Sequence, residues 1–228
     1  MVEALDSSAI ELATSLYDAG KVVVDPEGFT LVSGRKSDWY CNLAGIGSTP
    51  ETPAKTFIDP GLEVLVAEEN TAVLSDLEFD CVAGVPFKGY SLATAASVIG
   101  NFPRLDVRQR AKSHGVSELI EGYYEEDWRV ALLESAVTTG GSIIDFADEK
   151  LRPAGLVVTD AVAVVDRLEG GKELLAAAGI TLHALLDTRT LFSALVEYRD
   201  LDPELAEKII ADAEIERATL LQKRGINP

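Results

Sequence analysis

The sequence is poor in the residues that build disulfide frameworks and zinc centres. Its 228 residues include two cysteines and two histidines. Cys41 and Cys81 lie far apart, with no CxxC spacing and no histidine nearby, so the pattern argues against a structural zinc site and a disulfide scaffold. We expect both residues to be buried or half-buried free thiols in a reducing compartment.

Long apolar runs are also missing. No stretch approaches the roughly 18 consecutive apolar residues of a membrane span, although 47% of the residues are hydrophobic. The first residues, MVEALDSSAIELA, lack the basic and apolar regions of a signal peptide. We therefore expect a cytoplasmic protein with no membrane partner, whose apolar content suffices for one sizeable α/β domain or two small ones.

Positive charge is scarce. The 20 lysines and arginines are outnumbered by 38 aspartates and glutamates, which gives a formal net charge of -18 at pH 7. A surface this acidic repels nucleic acid backbones through its long-range field, so a nucleic acid partner is disfavoured. If the substrates are polyanions, the remaining basic residues should concentrate at the site.

Strands alternate with helices along much of the chain. The segments that show a strand, a turn and then a helix are FDCVAGVPFKGYSLATAASVIG, RVALLESAVTTGGSIIDFADEKLRPAG and LVVTDAVAVVDRLEGGKELLAAAGI. Such βα units predict an α/β fold with a mostly parallel, twisted sheet flanked by helices on both faces. Ligands of such sheets bind at the carboxyl ends of the strands.

Further elements are predicted on either side of these units. The segment DSSAIELATSLYDAGKV predicts an N-terminal helix, and FTLVSGRKSDWYCNL predicts two short strands around a Gly-Arg-Lys turn. The loop GIGSTPETPAK is expected at the surface, and RQRAKSHGVSELIEGYYEED is expected to form a long loop or hairpin. From Asp202 onward, with Pro203 in the first turn, the pattern predicts an amphipathic helix that packs on its own domain or on a partner subunit.

The turn that follows RVALLESAV has the chemistry of a phosphate site. Its residues are Thr138, Thr139, Gly140, Gly141 and Ser142. Small residues let N–H groups close around a phosphate, hydroxyls add donors, and the following helix favours an anion. The sequence has no Walker GxxxxGK[ST] motif. The turn therefore predicts a phosphomonoester pocket, with an ordinary Gly-rich helix start as the alternative.

Glu134 closes the strand that leads into this turn. A carboxylate there can accept hydrogen bonds from ribose hydroxyls or hold a hydrated Mg²⁺. A surface or capping role is the alternative for an isolated strand-end glutamate.

Taken together, these motifs resemble those of orotate phosphoribosyltransferase, a type I phosphoribosyltransferase. The resemblance runs from about Phe29 to Leu191, and its motifs in chain order are FTLVSGRKSDWY, AGVPFKGYSLATAAS, RQRAKSHG with IEG, LLESAVTTGGS and DRLEGG. It implies the type I phosphoribosyltransferase fold with a small N-terminal hood. Residues 1–201 would form the phosphoribosyltransferase-like domain, and residues 202–228 a C-terminal helical extension.

The resemblance also implies a reaction. The enzymes of this family transfer phosphoribosyl from phosphoribosyl pyrophosphate to orotate with Mg²⁺, giving orotidine monophosphate and pyrophosphate in de novo pyrimidine (UMP) biosynthesis. A ribose that loses pyrophosphate becomes oxocarbenium-like, so catalysis needs leaving-group charge neutralised and water excluded. The family relation further implies a homodimer.

Several residues match the binding positions of the family. The turn from Thr138 to Ser142 matches the 5′-phosphate site, and Thr138 is expected to contact orotate as well. Glu134 matches the first acid beside the ribose hydroxyls and is the protein's candidate ligand for a Mg²⁺ held mainly by substrate. Lys88 in GVPFKG would meet the diphosphate. Arg167 matches the arginine that pairs with the orotate carboxylate, a task suited to a planar guanidinium.

Other residues match the family's catalytic loop and the surroundings of its base. Arg108, Lys112 and His114 match the loop that closes over the neighbouring subunit's site and stabilises the departing pyrophosphate. Trp39 or Tyr40 is expected to flank the base, with core packing as the alternative. Three remaining residues are expected to be structural: His183, and Asp166 and Glu169 as hydrogen-bonding supports.

Three positions depart from the family pattern. Ser135 stands where a second acid is expected, Gln109 where the loop has a second cation, and Val32 where a lysine is usual. Each lost charge-assisted contact costs about 1.5 to 3 kcal/mol. Arg110 is a candidate replacement for the missing loop cation, and Asp160 for the missing acid if a neighbouring strand presents it.

These departures keep two other functions open. One is a non-catalytic sensor that binds phosphoribosyl pyrophosphate or a nucleotide on the same fold. The other is a phosphoribosyltransferase for another base, against which Arg167 argues because its guanidinium would then be left unpaired.

Overall fold

A computed structural model describes residues 5–30, 36–43, 60–109 and 119–226. The first two residues of the predicted Gly-Arg-Lys turn, the loop GIGSTPETPAK and the centre of the predicted catalytic loop lie outside these ranges. Val32, Arg110, Lys112 and His114 lie there too, so their predicted roles stay predictions.

Helices and strands alternate along the described chain. The strands are β1 (Val22–Thr30), β2 (Lys36–Cys41), β3 (Cys81–Gly84), β4 (Arg104–Val107), β5 (Ile120–Glu121), β6 (Arg129–Val137), β7 (Val157–Asp166) and β8 (Thr181–Asp187). The helices are α1 (Ser7–Asp18), α2 (Pro60–Ser75), α3 (Gly89–Gly100), α4 (Gly141–Phe146), α5 (Gly171–Ala177), α6 (Thr188–Arg199) and α7 (Pro203–Arg224). A π-helical turn, Ala147–Leu151, and a 3₁₀ turn, Arg152–Ala154, continue α4 toward β7.

The central sheet has the strand order β5-β4-β3-β6-β7-β8 within the described ranges. The pairs from β4 to β8 are parallel, and β5 runs antiparallel to β4. The predicted mostly parallel sheet is therefore confirmed. From β3 the chain moves to β4 on one side, whereas from β6 it moves to β7 on the other, so the order reverses between β3 and β6. In sheets of this kind, ligands bind in the crevice at such a reversal.

Both faces of the sheet are buried, as the βα pattern predicts. Successive side chains of a strand point to opposite faces. Ala131 and Leu133 of β6 pack in the core formed with α1, α2 and α6. Val130 and Leu132 pack in a second core, formed with α4 and α5. None of the helices within the described ranges is long and apolar enough to span a bilayer.

The N-terminal hood is an antiparallel hairpin of β1 and β2. The sequence predicts two short strands here, but β1 begins earlier, at Val22, and continues through Pro26 and Gly28. A shift in register between Val24 and Phe29 accommodates these two residues, and Gly28 has a φ of 80°. Proline and glycine predict strand ends, and an irregularity of this kind lets one strand continue past them.

Elements on either side of the predicted catalytic loop agree with a hairpin. β4 and β5 pair antiparallel through Asp106 with Glu121 and Val107 with Ile120. The predicted C-terminal helix is present as α7, where the Asp202 carboxylate accepts a hydrogen bond from Glu204 N at 3.0 Å. Four elements were not anticipated from the sequence: α2, β4, β8 and α6.

The loop between β3 and α3 lies directly against the end of β6. Val85 N donates to Leu133 O at 2.9 Å. A Cβ placed on Gly89 would lie 2.2 Å from the same Leu133 oxygen. Because backbone meets backbone at this point, a side chain at residue 89 has no room. This close approach holds the loop beside Glu134.

We expect Gly89→Ala to lower the free energy of unfolding by about 2 to 4 kcal/mol, since the new methyl group must push two backbone segments apart. Urea unfolding monitored by circular dichroism measures the change. Gly141→Ala is the matched control, because its Cβ would find its nearest neighbour at 3.7 Å. Equal stabilities of the two variants would contradict this account of the loop.

Candidate functional site

A cleft of about 370 Å³ opens at the carboxyl ends of the central strands, where the strand order reverses. Its lining residues are Tyr40, Cys41, Pro86, Phe87, Lys88, Glu134, Ser135, Ala136, Thr138 and Arg167. The cleft thus brings together Lys88 after β3, Glu134 and Thr138 at the end of β6, and Arg167 after β7. These are predicted binding residues from three consecutive βα units.

Glu134 and Ser135 form a local hydrogen-bonded pair at the end of β6. The Glu134 carboxylate oxygen Oε1 accepts from Ser135 N at 2.6 Å and from Ser135 Oγ at 3.0 Å. Both residues are buried. Ser135 therefore donates to the single carboxylate in place of adding a second negative charge beside it.

Burial dominates the electrostatics of Glu134. Desolvation raises the pKa of its carboxyl above the usual value of 4.5, while hydrogen bonds from Ser135 and Ser142 and the nearby Lys88 ammonium act in the opposite direction. The ionised form is thus costly in the folded protein, and these donors offset part of that cost.

The predicted phosphate turn follows β6 as expected. Thr138, Thr139 and Ser142 are exposed, and Gly140 has a φ of 73°. The first N–H groups of a helix lack acceptors inside the helix, so α4 presents donors at the turn. The local geometry matches an anion site.

A close backbone contact joins this turn to the loop after β7. A Cβ on Gly171 would lie 2.7 Å from Thr138 O and 2.5 Å from Val137 Cγ1. Arg167 N also donates to Val137 O at 2.9 Å. The main chain at Gly171 therefore packs directly against the main chain of the turn, with the Val137 side chain beside the contact.

Arg167 is buried and held by three groups. Its Nε donates to Glu169 Oε1 at 2.9 Å, and its Nη2 to Ser37 Oγ at 3.4 Å. The guanidinium carbon lies 4.1 Å from the centroid of the Trp39 ring. Among the residues that the structure describes, Nη1 has no hydrogen-bond partner. The predicted support from Glu169 is confirmed.

Trp39 and Tyr40 occupy different environments. Trp39 is buried, packs edge-on against Phe192 at 5.1 Å, and lies beneath Arg167. Tyr40 is 40% exposed and lines the cleft. Of the two aromatic residues, Tyr40 is thus the one that lines the cleft, and Trp39 packs against the arginine.

Similarity to known proteins agrees with this geometry. The orotate phosphoribosyltransferase of Methanocorpusculum labreanum is 38% identical over 165 residues, which make up 72% of this chain and 89% of that protein. The uridine 5′-monophosphate synthase of Bos taurus is 34% identical over 206 residues, or 90% of this chain and 41% of that protein. The chain belongs to the orotate phosphoribosyltransferase family. No protein-family model matches it.

A solved structure gives the same fold. The UMP synthase of Leishmania donovani superposes with a TM-score of 0.74 at 30% identity, covering 90% of this chain and 42% of that one. The chain thus spans less than half the length of these two UMP synthases. Its α/β fold is that of the type I phosphoribosyltransferases.

The start of the loop that the family uses in catalysis is held by an ion pair. Arg108 Nε donates to Glu121 Oε1 at 2.9 Å, and Arg108 N donates to Leu119 O at 2.8 Å. Arg108 is not among the described residues that line the cleft. Its assigned role in this orotate phosphoribosyltransferase homologue stays a prediction, as do those of Lys112 and His114.

The suggestion that Asp160 replaces the acid missing at Ser135 is wrong. Asp160 is the register partner of Ala131, whereas Ala163 is the partner of Glu134. Asp160 therefore lies three residues further from the cleft, or about 10 Å along the strand. Its carboxylate instead contacts His183 Nε2 at 2.8 Å between β7 and β8, in keeping with the structural role expected for this histidine.

Both cysteines are free and buried, as predicted. Cys41 lines the cleft, but burial raises the pKa of its thiol to about 11, against the opposing effects of Arg167 and Lys88. A protonated thiol is a poor nucleophile. Cys41 therefore contributes a neutral side chain to the lining of the cleft.

Sequence reasoning missed Ser37 and Phe87. Ser37 lies two residues before Trp39, and this alternation of side chains along β2 is the signal that could have linked it to Arg167. Phe87 is 78% exposed beside Lys88, and its position depends on the path of an irregular loop.

We expect Glu134→Gln to make the protein more stable at neutral pH. Because burial raises the pKa of Glu134, the wild type loses stability as pH rises from the unfolded pKa through the folded one. The neutral amide has no such loss, and the two proteins should converge below about pH 4, where both side chains are uncharged.

Urea unfolding at pH 4 and pH 8 measures this difference. Glu207→Gln, at an exposed site on α7, is the control. Its free energy of unfolding should differ between pH 4 and pH 8 by the same amount as that of wild type. A Glu134→Gln protein less stable than wild type at pH 8 would show that the hydrogen bonds to the charged group outweigh its burial.

Proposed function

We propose that this chain is an active orotate phosphoribosyltransferase, which forms orotidine monophosphate and pyrophosphate from orotate and phosphoribosyl pyrophosphate in UMP biosynthesis. The proposal rests on the single cleft that Lys88, Glu134, Thr138 and Arg167 line together. A phosphate, a ribose, a diphosphate and a carboxylate each meet a suitable group there.

The reaction requires charged groups at suitable positions and does not require a protein nucleophile. A bond forms between a ring nitrogen of orotate and the anomeric carbon, while the carbon–oxygen bond to pyrophosphate breaks and its electron pair leaves with the oxygen. The proton of that ring nitrogen is released to the pyrophosphate or to solvent. Lys88 offsets charge on the departing group, and Glu134 accepts from the ribose hydroxyls. Such preorganised electrostatic contacts lower the barrier without covalent catalysis.

Arg167 orients the base. Its Nε edge is taken by Glu169, so Nη1 is the group left to donate to the orotate carboxylate. Thr138 and Tyr40 line the same cleft. A charge-assisted contact to a planar carboxylate favours orotate over bases that lack this group.

Mg²⁺ is proposed as the cofactor. No group of three or more candidate ligands occurs among the described residues, and the cleft lining supplies one carboxylate, that of Glu134. This donor set fits a hard cation that keeps substrate oxygens and water as most of its ligands. Bound there, Mg²⁺ would neutralise diphosphate charge.

The loop and the assembly complete the proposal. We assign Arg108, Lys112 and His114 to a loop that covers the diphosphate of a neighbouring subunit in a cytoplasmic homodimer. The antiparallel strands β4 and β5 support this assignment, since they flank the loop and β4 pairs with β3.

A sensor without turnover is the second candidate, and Ser135 favours it. The serine removes one carboxylate from the ribose site, which weakens a contact that the family pattern includes. However, Ser135 N and Oγ both donate to Glu134, so the remaining acid is held in place.

Orotate consumption, monitored by absorbance with phosphoribosyl pyrophosphate and Mg²⁺, separates these functions. We expect turnover that depends on all three components. In parallel, calorimetric titration with phosphoribosyl pyrophosphate alone measures binding. Binding without turnover would favour the sensor, and in that case Ser135→Asp should gain activity.

We expect Arg167→Lys to lower kcat/KM for orotate by about 10- to 100-fold, because an ammonium cannot keep the Glu169 contact and still reach the carboxylate. The KM for phosphoribosyl pyrophosphate should stay within about twofold. Arg189→Lys is the control, since Arg189 pairs with Glu214 at the surface. An equal loss for both substrates would assign Arg167 a general structural role instead.

A further inference from the structure

The C-terminal helix α7 packs across the back of the arginine loop. Its buried residues Ile209 and Ala213 line a cavity of about 160 Å³ together with Trp39, Arg167 and Glu169. Arg167 also lines the substrate cleft. Arg167 therefore lines both the substrate cleft and this second cavity, and α7 supplies one wall of the second cavity.

Two ion pairs attach α7 to different elements around Arg167. Lys208 Nζ lies 2.6 Å from Asp38 Oδ2 on β2. Arg217 Nε lies 2.5 Å from Glu173 Oε1 on α5, just after the arginine loop. Nine residues separate the two cations, or about 13 Å along the helix. The helix thus connects the hood hairpin to the end of the arginine loop.

These two elements also supply the groups that hold Arg167. Ser37 and Trp39 belong to β2 on either side of Asp38, and Glu169 belongs to the loop that leads into α5. The direction of the guanidinium therefore depends on the relative position of β2 and the loop. A further contact of α7, Leu220 against Gly170, lies beside the same loop.

We infer that α7 is a positioning element of the base site, in which Lys208 and Arg217 fix Arg167 for the orotate carboxylate. The inference rests on the proposed function. Partly exposed ion pairs of this kind contribute little to stability, so their removal should affect the arginine more than the fold.

The test compares Lys208→Gln, Arg217→Gln and the double variant with wild type. We expect KM for orotate to rise about three- to tenfold in the double variant, while KM for phosphoribosyl pyrophosphate and kcat change less than about twofold. Lys208→Arg and Arg217→Lys should restore most of the wild-type KM. Glu214→Gln is the matched control, because Glu214 lies on the same helix but pairs with Arg189 of α6.

Fluorescence of Trp39 gives a readout that does not require turnover. Trp128→Phe leaves Trp39 as the single tryptophan, and the nearby guanidinium makes its emission sensitive to the position of Arg167. We expect the double variant, but not Glu214→Gln, to shift the emission and increase quenching by acrylamide. Thermal unfolding of the same proteins establishes that each is folded at the assay temperature. If the double variant is unfolded at that temperature, the comparison is made with the single variants.

The outcomes separate this inference from the proposed function. If wild type does not use orotate, the proposed function fails, and the Trp39 signal alone decides the role of α7. Unchanged Trp39 emission in the folded variants would overturn the inference, as would equal increases in KM for both substrates.

Discussion

The parallel register of β3, β6 and β7 is the constraint on which the site depends. Because these strands run in the same direction and pair side by side, the residues that follow each of them emerge at one edge of the sheet. The reversal of strand order between β3 and β6 leaves a crevice at that edge. Lys88, Glu134 and Arg167 are far apart in sequence, and this topology is what places them around one cleft.

Burial of Glu134 makes its ionised form costly for stability, although the proposed function needs that form. The proposed function needs an ionised Glu134 carboxylate close to the ribose, yet desolvation raises its pKa. A second carboxylate at residue 135 would add repulsion in the same buried volume. Ser135 supplies two donors there, so the protein keeps one acid at lower electrostatic cost. Under the proposed function, it gives up one contact to the ribose or the metal in exchange.

The fold and the turn after β6 could be predicted from sequence because they follow from local patterns, whereas Lys88 and Arg167 were predicted from the resemblance to the family. Apolar strands, Gly-rich turns and helical periodicity identify the βα units, and the same turns carry Glu134, Thr138 and Arg167. Long-range packing could not be predicted in this way. The position of Asp160 depends on the register between β6 and β7, and the burial of Trp39 depends on α6. The contacts of α7 with β2 join residues about 170 positions apart in the chain.

The backbone contact between Gly171 and the turn at Thr138 has a consequence for ligand size. A side chain at residue 171 would meet the Thr138 carbonyl oxygen, so a main-chain contact sets the distance between the phosphate turn and the arginine loop. If the proposed function holds, this main-chain contact also sets the span from the 5′-phosphate to the base carboxylate. A ligand bearing both groups fits only if its own length matches this span, and shorter or longer molecules can engage one end at a time.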